Sequence, residues 1–374
     1  MKKLGFGAMR LPKTDPDDAS SIDMEQFKKM TDMFLERGFT YFDTAYPYHN
    51  GRSETALREA LVKRYPRDCY TLADKMPVYM VTSGEDYPRL FNEQLEKCGV
   101  EYFDYYLLHN VGRDRYEDTL KYGGFEFLQE MKKQGKIINI GFSFHDEAAV
   151  LERILTEHPE VDFVQLQINY LDWDGPVAQS GKCYQIACNH GKKVVVMEPV
   201  KGGNLASLPK EAMDLFEEYY RKEGDGIIPS PASLAIRYVA SLENVMKVLS
   251  GMSTLEQLDD NTSYMQDFKP LTAGERELVD EIVKVLRRTI RVPCTSCHYC
   301  LEVCPIGVNI PDYFALLNLY AVTGRKTSTY FERYSLNHAR ASECLKCGNC
   351  EGICPQHIEI REYLEEFAAL YENK

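Results

Sequence analysis

Eight cysteines near the end of the chain fall into two runs of identical spacing, Cys294-x2-Cys297-x2-Cys300-x3-Cys304-Pro305 and Cys344-x2-Cys347-x2-Cys350-x3-Cys354-Pro355. No other feature limits the fold so tightly. Thiolates at such spacing can wrap three irons of one cubane, while the fourth, held on a proline turn, points away to a second cubane. The pattern predicts two [4Fe–4S] clusters with crossed ligation. Cys294, Cys297, Cys300 and Cys354 hold one, and Cys344, Cys347, Cys350 and Cys304 hold the other. Tetrahedral zinc is the alternative reading, but zinc usually draws its ligands from two separated pairs. The remaining cysteines, Cys69, Cys98, Cys183 and Cys188, are scattered. Clustered thiols in a reducing compartment are more often metal ligands than bridges. His298, His338 and His357 lie nearby and read as surface residues.

This spacing is that of bacterial ferredoxins, and the end of the chain resembles them. Thirty-nine residues separate Cys304 from Cys344, long for a compact two-cluster ferredoxin. Within them, Phe314, Leu317 and Tyr320 recur at helical spacing in Pro311–Tyr320, and a second amphipathic piece surrounds Tyr330–Leu336. The segment resembles the all-helical ferredoxin type that serves as an electron-relay module in larger redox enzymes.

A length of 374 residues exceeds what one hydrophobic core usually organises, so two domains are expected. Ahead of the cysteines, short β-prone apolar runs alternate with longer amphipathic ones. Strands are predicted at Leu4–Ala8, Thr40–Thr44, Tyr70–Lys75, Tyr105–His109, Ile138–Ser143, Phe163–Ile168, Val194–Glu198 and Val245–Ser250. Helices are predicted between them, among others at Met24–Arg37, Glu54–Arg64, Tyr87–Cys98, Phe125–Gln134, Asp146–Glu157, Ala178–His190 and Pro231–Ser241. Eight such units close into a barrel. The expected fold is α/β, a (β/α)8 TIM barrel over 1–270, followed by a connector helix over 271–291. A mostly α-helical, two-[4Fe–4S] ferredoxin-like domain then occupies 292–374.

Asp43 and Tyr48 in FDTAYPY, Lys75 in LADK and His109 in YYLLHN stand at or just beyond predicted strand ends. In a (β/α)8 barrel those positions converge at the C-terminal mouth. A tyrosine, with a pKa of about 10, is a weak acid at neutral pH. A lysine ammonium about 4 Å away favours the phenolate by up to roughly 4 kcal/mol at an effective dielectric of about 20. Lys75 is therefore expected to lower Tyr48, with Asp43 orienting Lys75 and His109 positioning a carbonyl.

At these residues the chain resembles the aldo-keto reductase family, through LGFGAMRLP, FDTAYPYHNGRSE, LLHN, IGFS and STLEQLDDN. The resemblance implies an active-site tetrad of Asp43, Tyr48, Lys75 and His109. It implies reversible hydride transfer between NADP(H) or NAD(H) and an aldehyde or ketone. It places Ser143 and Gln165 at the nicotinamide carboxamide, Gly7 beside the cofactor, and Asp260 and Asn261 at the adenine end. Phe144 stands where Asn is common, Met197 where a Tyr often stacks, and Glu198 where a small Ser is usual. The Lys and Arg that grip a 2′-phosphate in the family align with Gly251 and Gln257, neither of them basic.

The formal net charge of −13 disfavours nucleic acid and anionic lipid as partners. No run approaches the roughly 20 apolar residues of a membrane span, and no signal-type segment opens the chain; a cytoplasmic protein is expected. Its partners are a small carbonyl or alcohol substrate and a possible redox protein. Three functions fit the two halves: a reductase whose clusters relay electrons, a carbonyl reductase whose clusters only dock or sense, and a non-catalytic electron-transfer subunit.

Overall fold

A computed structural model of the chain describes residues 2–174, 178–223, 227–323, 326, 331–332 and 334–372. Eight strands run β1 Leu4–Gly7, β2 Tyr41–Asp43, β3 Thr71–Met76, β4 Phe103–Leu108, β5 Ile137–Phe144, β6 Phe163–Gln167, β7 Lys193–Met197 and β8 Val245–Ser250. All pair in parallel and close in chain order, β1 meeting β8. Strands covered on both faces can be apolar throughout, which is why Val194, Val195 and Val196 are all buried.

The barrel is filled, not hollow. Tyr41, Ala73, Leu107, Phe163, Val195 and Leu249 pack its interior. Gly5 makes room for them, because a Cβ there would lie 2.9 Å from Leu249 and 3.1 Å from the Tyr41 ring. On the outer side Phe6 meets Phe27 and Phe34 of the helix Met24–Glu36, with ring centroids 5.7 and 5.5 Å away. Asp23 caps that helix by accepting from the Gln26 N–H, satisfying one orphan donor of the first turn. The helix expected over Glu54–Arg64 is two pieces, Ser53–Leu57 followed by a π-type turn over Arg58–Val62.

By its internal contacts the chain divides into two compact units, Met1–Pro199 with Ala232–Leu271, and Val200–Pro231 with Thr272–Lys374. The predicted connector is the helix Ala273–Thr289, opened by a capping box of Thr272 and Glu275. It sits in the second unit against the helix Lys210–Glu223, where Tyr220 donates to Glu275 Oε1 at 2.8 Å. The core of this unit gathers Val292, Ile310, Tyr313, Phe314, Leu317, Ile360, Leu364 and Phe367. The helix expected around Pro311–Tyr320 runs Ile310–Thr323. Tyr330, at the start of the second expected amphipathic piece, lies outside the described residues. No helix among the described residues is long and apolar enough to cross a membrane.

Candidate functional site

Strand ends bring the four polar residues of the barrel together. Asp43 closes β2, Lys75 stands on β3, and His109 follows β4 with its N–H donating to Met76 O at 2.9 Å. Lys75 is 1% exposed, and its Nζ donates to Asp43 Oδ1 at 2.5 Å and to Thr44 O at 2.6 Å. Such burial is tolerable because the cation has both a carboxylate and a carbonyl. The same Nζ lies 5.0 Å from the centre of the Tyr48 ring. Tyr48 meets the His109 ring edge-on, centroids 6.2 Å apart at 85°.

A local device that the sequence did not reveal fixes Tyr48. The next two residues, His49 and Asn50, both have left-handed backbones, at φ 55° and 53°. His49 Nε2 accepts from the Leu11 N–H at 3.1 Å, and its Nδ1 faces Ala19 O at 2.8 Å. A backbone N–H can only donate and a carbonyl only accept, so the ring must be the neutral Nδ1–H tautomer. Burial lowers its pKa in the same direction. The imidazole thus ties the turn bearing Tyr48 to the segment after β1.

The charges of the mouth correct one expectation. Tyr48 is pushed well above its ordinary value, first by burial and then by Asp43, Asp74, Glu198 and Tyr79. Lys75 does not pull it down because Asp43, in direct contact, already balances the ammonium. His109 is held well below its ordinary value by burial and by Lys75, His145 and Arg115. Near neutral pH the site therefore presents a protonated phenol and an uncharged imidazole.

The residues assigned to a nicotinamide cofactor fall in two places. Ser143 and Gln165 are register partners on β5 and β6. Ser143 Oγ accepts from Asn110 N–H at 2.7 Å. Gln165 is 3% exposed, and its Nε2 reaches only the Met197 sulfur, at 3.6 Å. Its buried Oε1 has no hydrogen-bond partner among the described residues. An orphaned carboxamide oxygen in a buried wall fits an incoming amide, since leaving it unpaired is costly. Gly7, Asp260 and Asn261 lie instead around β1 and β8. A Cβ on Gly7 would touch Ser250 O at 3.4 Å. Asn261 is turned inward, donating to Ser250 Oγ and accepting from Tyr264 OH, both at 2.7 Å.

Gln257 is spent on the end of its helix, where its Oε1 accepts from Ser253 N–H at 2.8 Å. Beside Gly251, however, the structure supplies a cation the sequence did not suggest. The Arg10 stem lies 3.2–3.3 Å from where a Gly251 Cβ would stand.

In the second unit, Cys294, Cys297, Cys300 and Cys354 line one pocket, and Cys304, Cys344, Cys347 and Cys350 line another. Each set combines three cysteines of one run with the fourth of the other. Among the described residues no three His, Cys, Asp or Glu side chains converge on a single ion; a cubane takes each thiolate on a different iron. The backbone repeats as well. Ser296 and Lys346 are both left-handed, and their N–H groups donate to Cys294 and Cys344 sulfur at 3.4 Å. At the next left-handed position His298 matches Gly348, and after the fourth cysteines His357 matches Gly307. Thiols arranged around pockets, with backbone donors aimed at sulfur, fit iron–sulfur clusters.

Comparison with known proteins agrees with both halves. Residues 3–284 match the aldo/keto reductase family, and residues 293–359 match a 4Fe–4S dicluster domain. The 9,11-endoperoxide prostaglandin H2 reductase of Trypanosoma cruzi is 25% identical over 66% of this chain and 79% of its own. An uncharacterised oxidoreductase of Bacillus subtilis, YqkF, is 24% identical over 80% of this chain and 95% of its own. An aldo-keto reductase from Klebsiella pneumoniae, solved with NADPH, superposes with a TM-score of 0.59 at 18% identity, covering 75% of this chain and 90% of that one. The chain belongs to the aldo/keto reductase family and carries, after that region in sequence, a 4Fe–4S dicluster domain.

Proposed function

We propose that the barrel reduces an aldehyde or ketone with NADPH or NADH, and that the eight clustered cysteines hold two [4Fe–4S] clusters that relay electrons to or from a redox partner. The observation that carries the reading is the convergence of Asp43, Lys75, Tyr48 and His109 at one barrel mouth. Tyr48, protonated at neutral pH, donates to the carbonyl oxygen as charge develops there. His109, uncharged, donates a second hydrogen bond and orients the carbonyl. Asp43 holds Lys75 in place beneath the Tyr48 ring. The orphaned Gln165 carbonyl orients a nicotinamide amide, and Arg10 beside Gly251 supports a phosphorylated cofactor. When bound, nicotinamide supplies an electron pair as hydride and the clusters supply single electrons.

A phenol whose pKa is raised keeps its proton at neutral pH, so the resting site is loaded to donate to a carbonyl oxygen. Ligand cysteines need a compartment in which thiols stay reduced, which supports a cytoplasmic location. The test is Tyr48→Phe in anaerobically purified protein. Loss of a positioned general acid lowers turnover by about 10²–10⁴-fold, while a phenyl ring keeps the packing. Undiminished carbonyl reduction by the Phe variant would overturn the assignment. Stepwise addition of NADPH or NADH while recording cluster absorbance tests the relay: an unchanging spectrum, with or without added flavin, counts against it.

A further inference from the structure

Directly behind Lys75, on the side away from Asp43, the barrel wall contains two more carboxyl groups. Asp74 precedes Lys75 on β3, Glu54 stands on the helix Ser53–Leu57, and both are 0% exposed. Asp74 Oδ1 accepts the Lys75 N–H at 2.8 Å, and its Oδ2 faces the Cys98 thiol at 3.6 Å. Glu54 Oε1 accepts from Gln94 Nε2 at 3.0 Å, and the same amide also donates to Lys75 O at 3.0 Å. Tyr106 OH locks that amide from the other end, donating to Gln94 Oε1 at 2.6 Å. The peptide of Lys75 is thereby clamped on both sides, N–H to Asp74 and C=O through Gln94 to Glu54.

The charges around this pair do not balance if both carboxyls are ionised. From the helix Asp86–Cys98, Lys97 approaches Glu54 Oε2 at 3.3 Å, and it is shared with Glu93 at 3.1 Å. From β3, Lys75 is engaged by Asp43. Cys98 and Tyr106 carry no charge at neutral pH, both being pushed far up by burial first. Glu54 Oε2 accepts no well-aligned hydrogen bond among the described residues; its one nearby cation is the shared Lys97 ammonium, at 3.3 Å. Two buried carboxylates beside one shared cation cost more than one carboxylate and one acid.

We propose that Asp74 and Glu54 share a single proton, carried on Asp74 and donated to Glu54 Oε2, and that this neutralised pair is a positioning element for Lys75 and Tyr48. Burial and the neighbouring carboxylate both raise Asp74, in keeping with that placement. The proton matters because an ionised Asp74 adds a third negative charge near Tyr48. It would weaken Tyr48 as an acid and give Lys75 a second carboxylate to serve. The role in catalysis rests on the reading of the barrel as a carbonyl reductase; the shared proton does not.

The test uses the full holoprotein and two variants, Asp74→Asn and Glu54→Gln, each of which removes the need for the proton. Difference infrared spectra against wild type should show the C=O stretch of a protonated carboxyl in the wild type and lose it in either variant. The linkage has a definite sign. A carboxyl with a raised folded pKa binds more protons in the native than in the unfolded state. The stability of the wild type therefore falls progressively as pH climbs from the ordinary carboxylate value through the raised one. Relative to wild type, Asp74→Asn should become more stable towards alkaline pH, by up to about tenfold in the unfolding equilibrium per pH unit within that window. Its reductase activity should also persist to higher pH, because Tyr48 is spared the added charge. Absence of the infrared band, or parallel stability curves, would overturn the shared proton. If the wild type reduces no carbonyl compound, the proposed function fails while the infrared and unfolding results still decide this one.

Discussion

Gly202 offers a sharp test of how the second unit is built. It lies in the turn Lys201–Gly203 with φ 63°, and a Cβ there would sit 2.1 Å from Thr295 O. Thr295 stands between Cys294 and Cys297, and Asn204 Nδ2 of the same turn reaches Cys294 O at 3.4 Å. Gly202→Ala therefore faces two costs. A left-handed backbone costs a residue with a Cβ about 1–2 kcal/mol. The overlap is with backbone rather than a flexible side-chain end, so one strand of chain must move by more than an ångström, costing roughly 1–3 kcal/mol more. Together, about 2–5 kcal/mol should lower the unfolding midpoint of a unit this size by roughly 10 °C. The displaced Cys294 loop should also release iron. Gly203→Ala, at φ 106° with no atom within 4 Å of the added Cβ, should bear backbone strain alone and keep its iron. Thermal unfolding under argon and iron assay of both proteins decide the matter. Equal losses in the two variants would refute the claim that the close approach to Thr295 is what requires glycine.

Other outcomes follow from the same structure. Lys247 is 2% exposed inside the barrel, donating to Lys2 O at 2.7 Å, and burial lowers its pKa to about 8. Its native state loses the proton before the unfolded chain does, so its contribution to stability grows as pH rises from about 8 towards the ordinary lysine value and is lost on the way down. Lys247→Met should remove roughly 3 kcal/mol of charge penalty at pH 7 and about 1 kcal/mol of hydrogen bonding. The net gain is measurable by denaturant unfolding and vanishes above pH 10. Asp43→Asn leaves Lys75 buried without its carboxylate, which should cost about 3–5 kcal/mol; adding Lys75→Met should recover most of it in a double-mutant cycle. Crossed ligation requires Cys304→Ser and Cys344→Ser to perturb the same cluster signal in electron paramagnetic resonance, and Cys354→Ser to perturb the one altered by Cys297→Ser. Pairing within each run instead would show as Cys304 grouping with Cys297.

The eight strands were legible because each is a short apolar run set between longer amphipathic ones, and burial on both faces leaves little else for such a run to be. Val245–Ser250 agrees to the residue, whereas Glu198 and His109 fall one position past the observed strand ends. Residue spacing also sufficed for the cysteine pockets, since a fixed gap between thiols is itself geometry. The grouping of Val200–Pro231 with the second unit was not legible. Val200–Pro231 follows β7 in sequence as any barrel segment would, yet its turn closes on Thr295 through a glycine whose significance appears only when residue 295 is placed.

The same limit governs the chemistry of the mouth. Sequence pattern identified Asp43, Tyr48, Lys75 and His109, but the direction in which Tyr48 shifts depends on which carboxylates outnumber which cations nearby. A lysine beside a tyrosine implies an acidified phenol only while that lysine has charge to spare. Here Asp43 takes it at 2.5 Å, and Asp74 and Glu198 contribute charge of the opposite sign. The consequence is a phenol at the barrel mouth that keeps its proton at neutral pH; under the proposed function it gives that proton up only when a carbonyl oxygen, gaining negative charge, becomes the better base. A site working in the proposed way would act by donating to developing charge, the interaction that is strongest in the transition state and weakest before it.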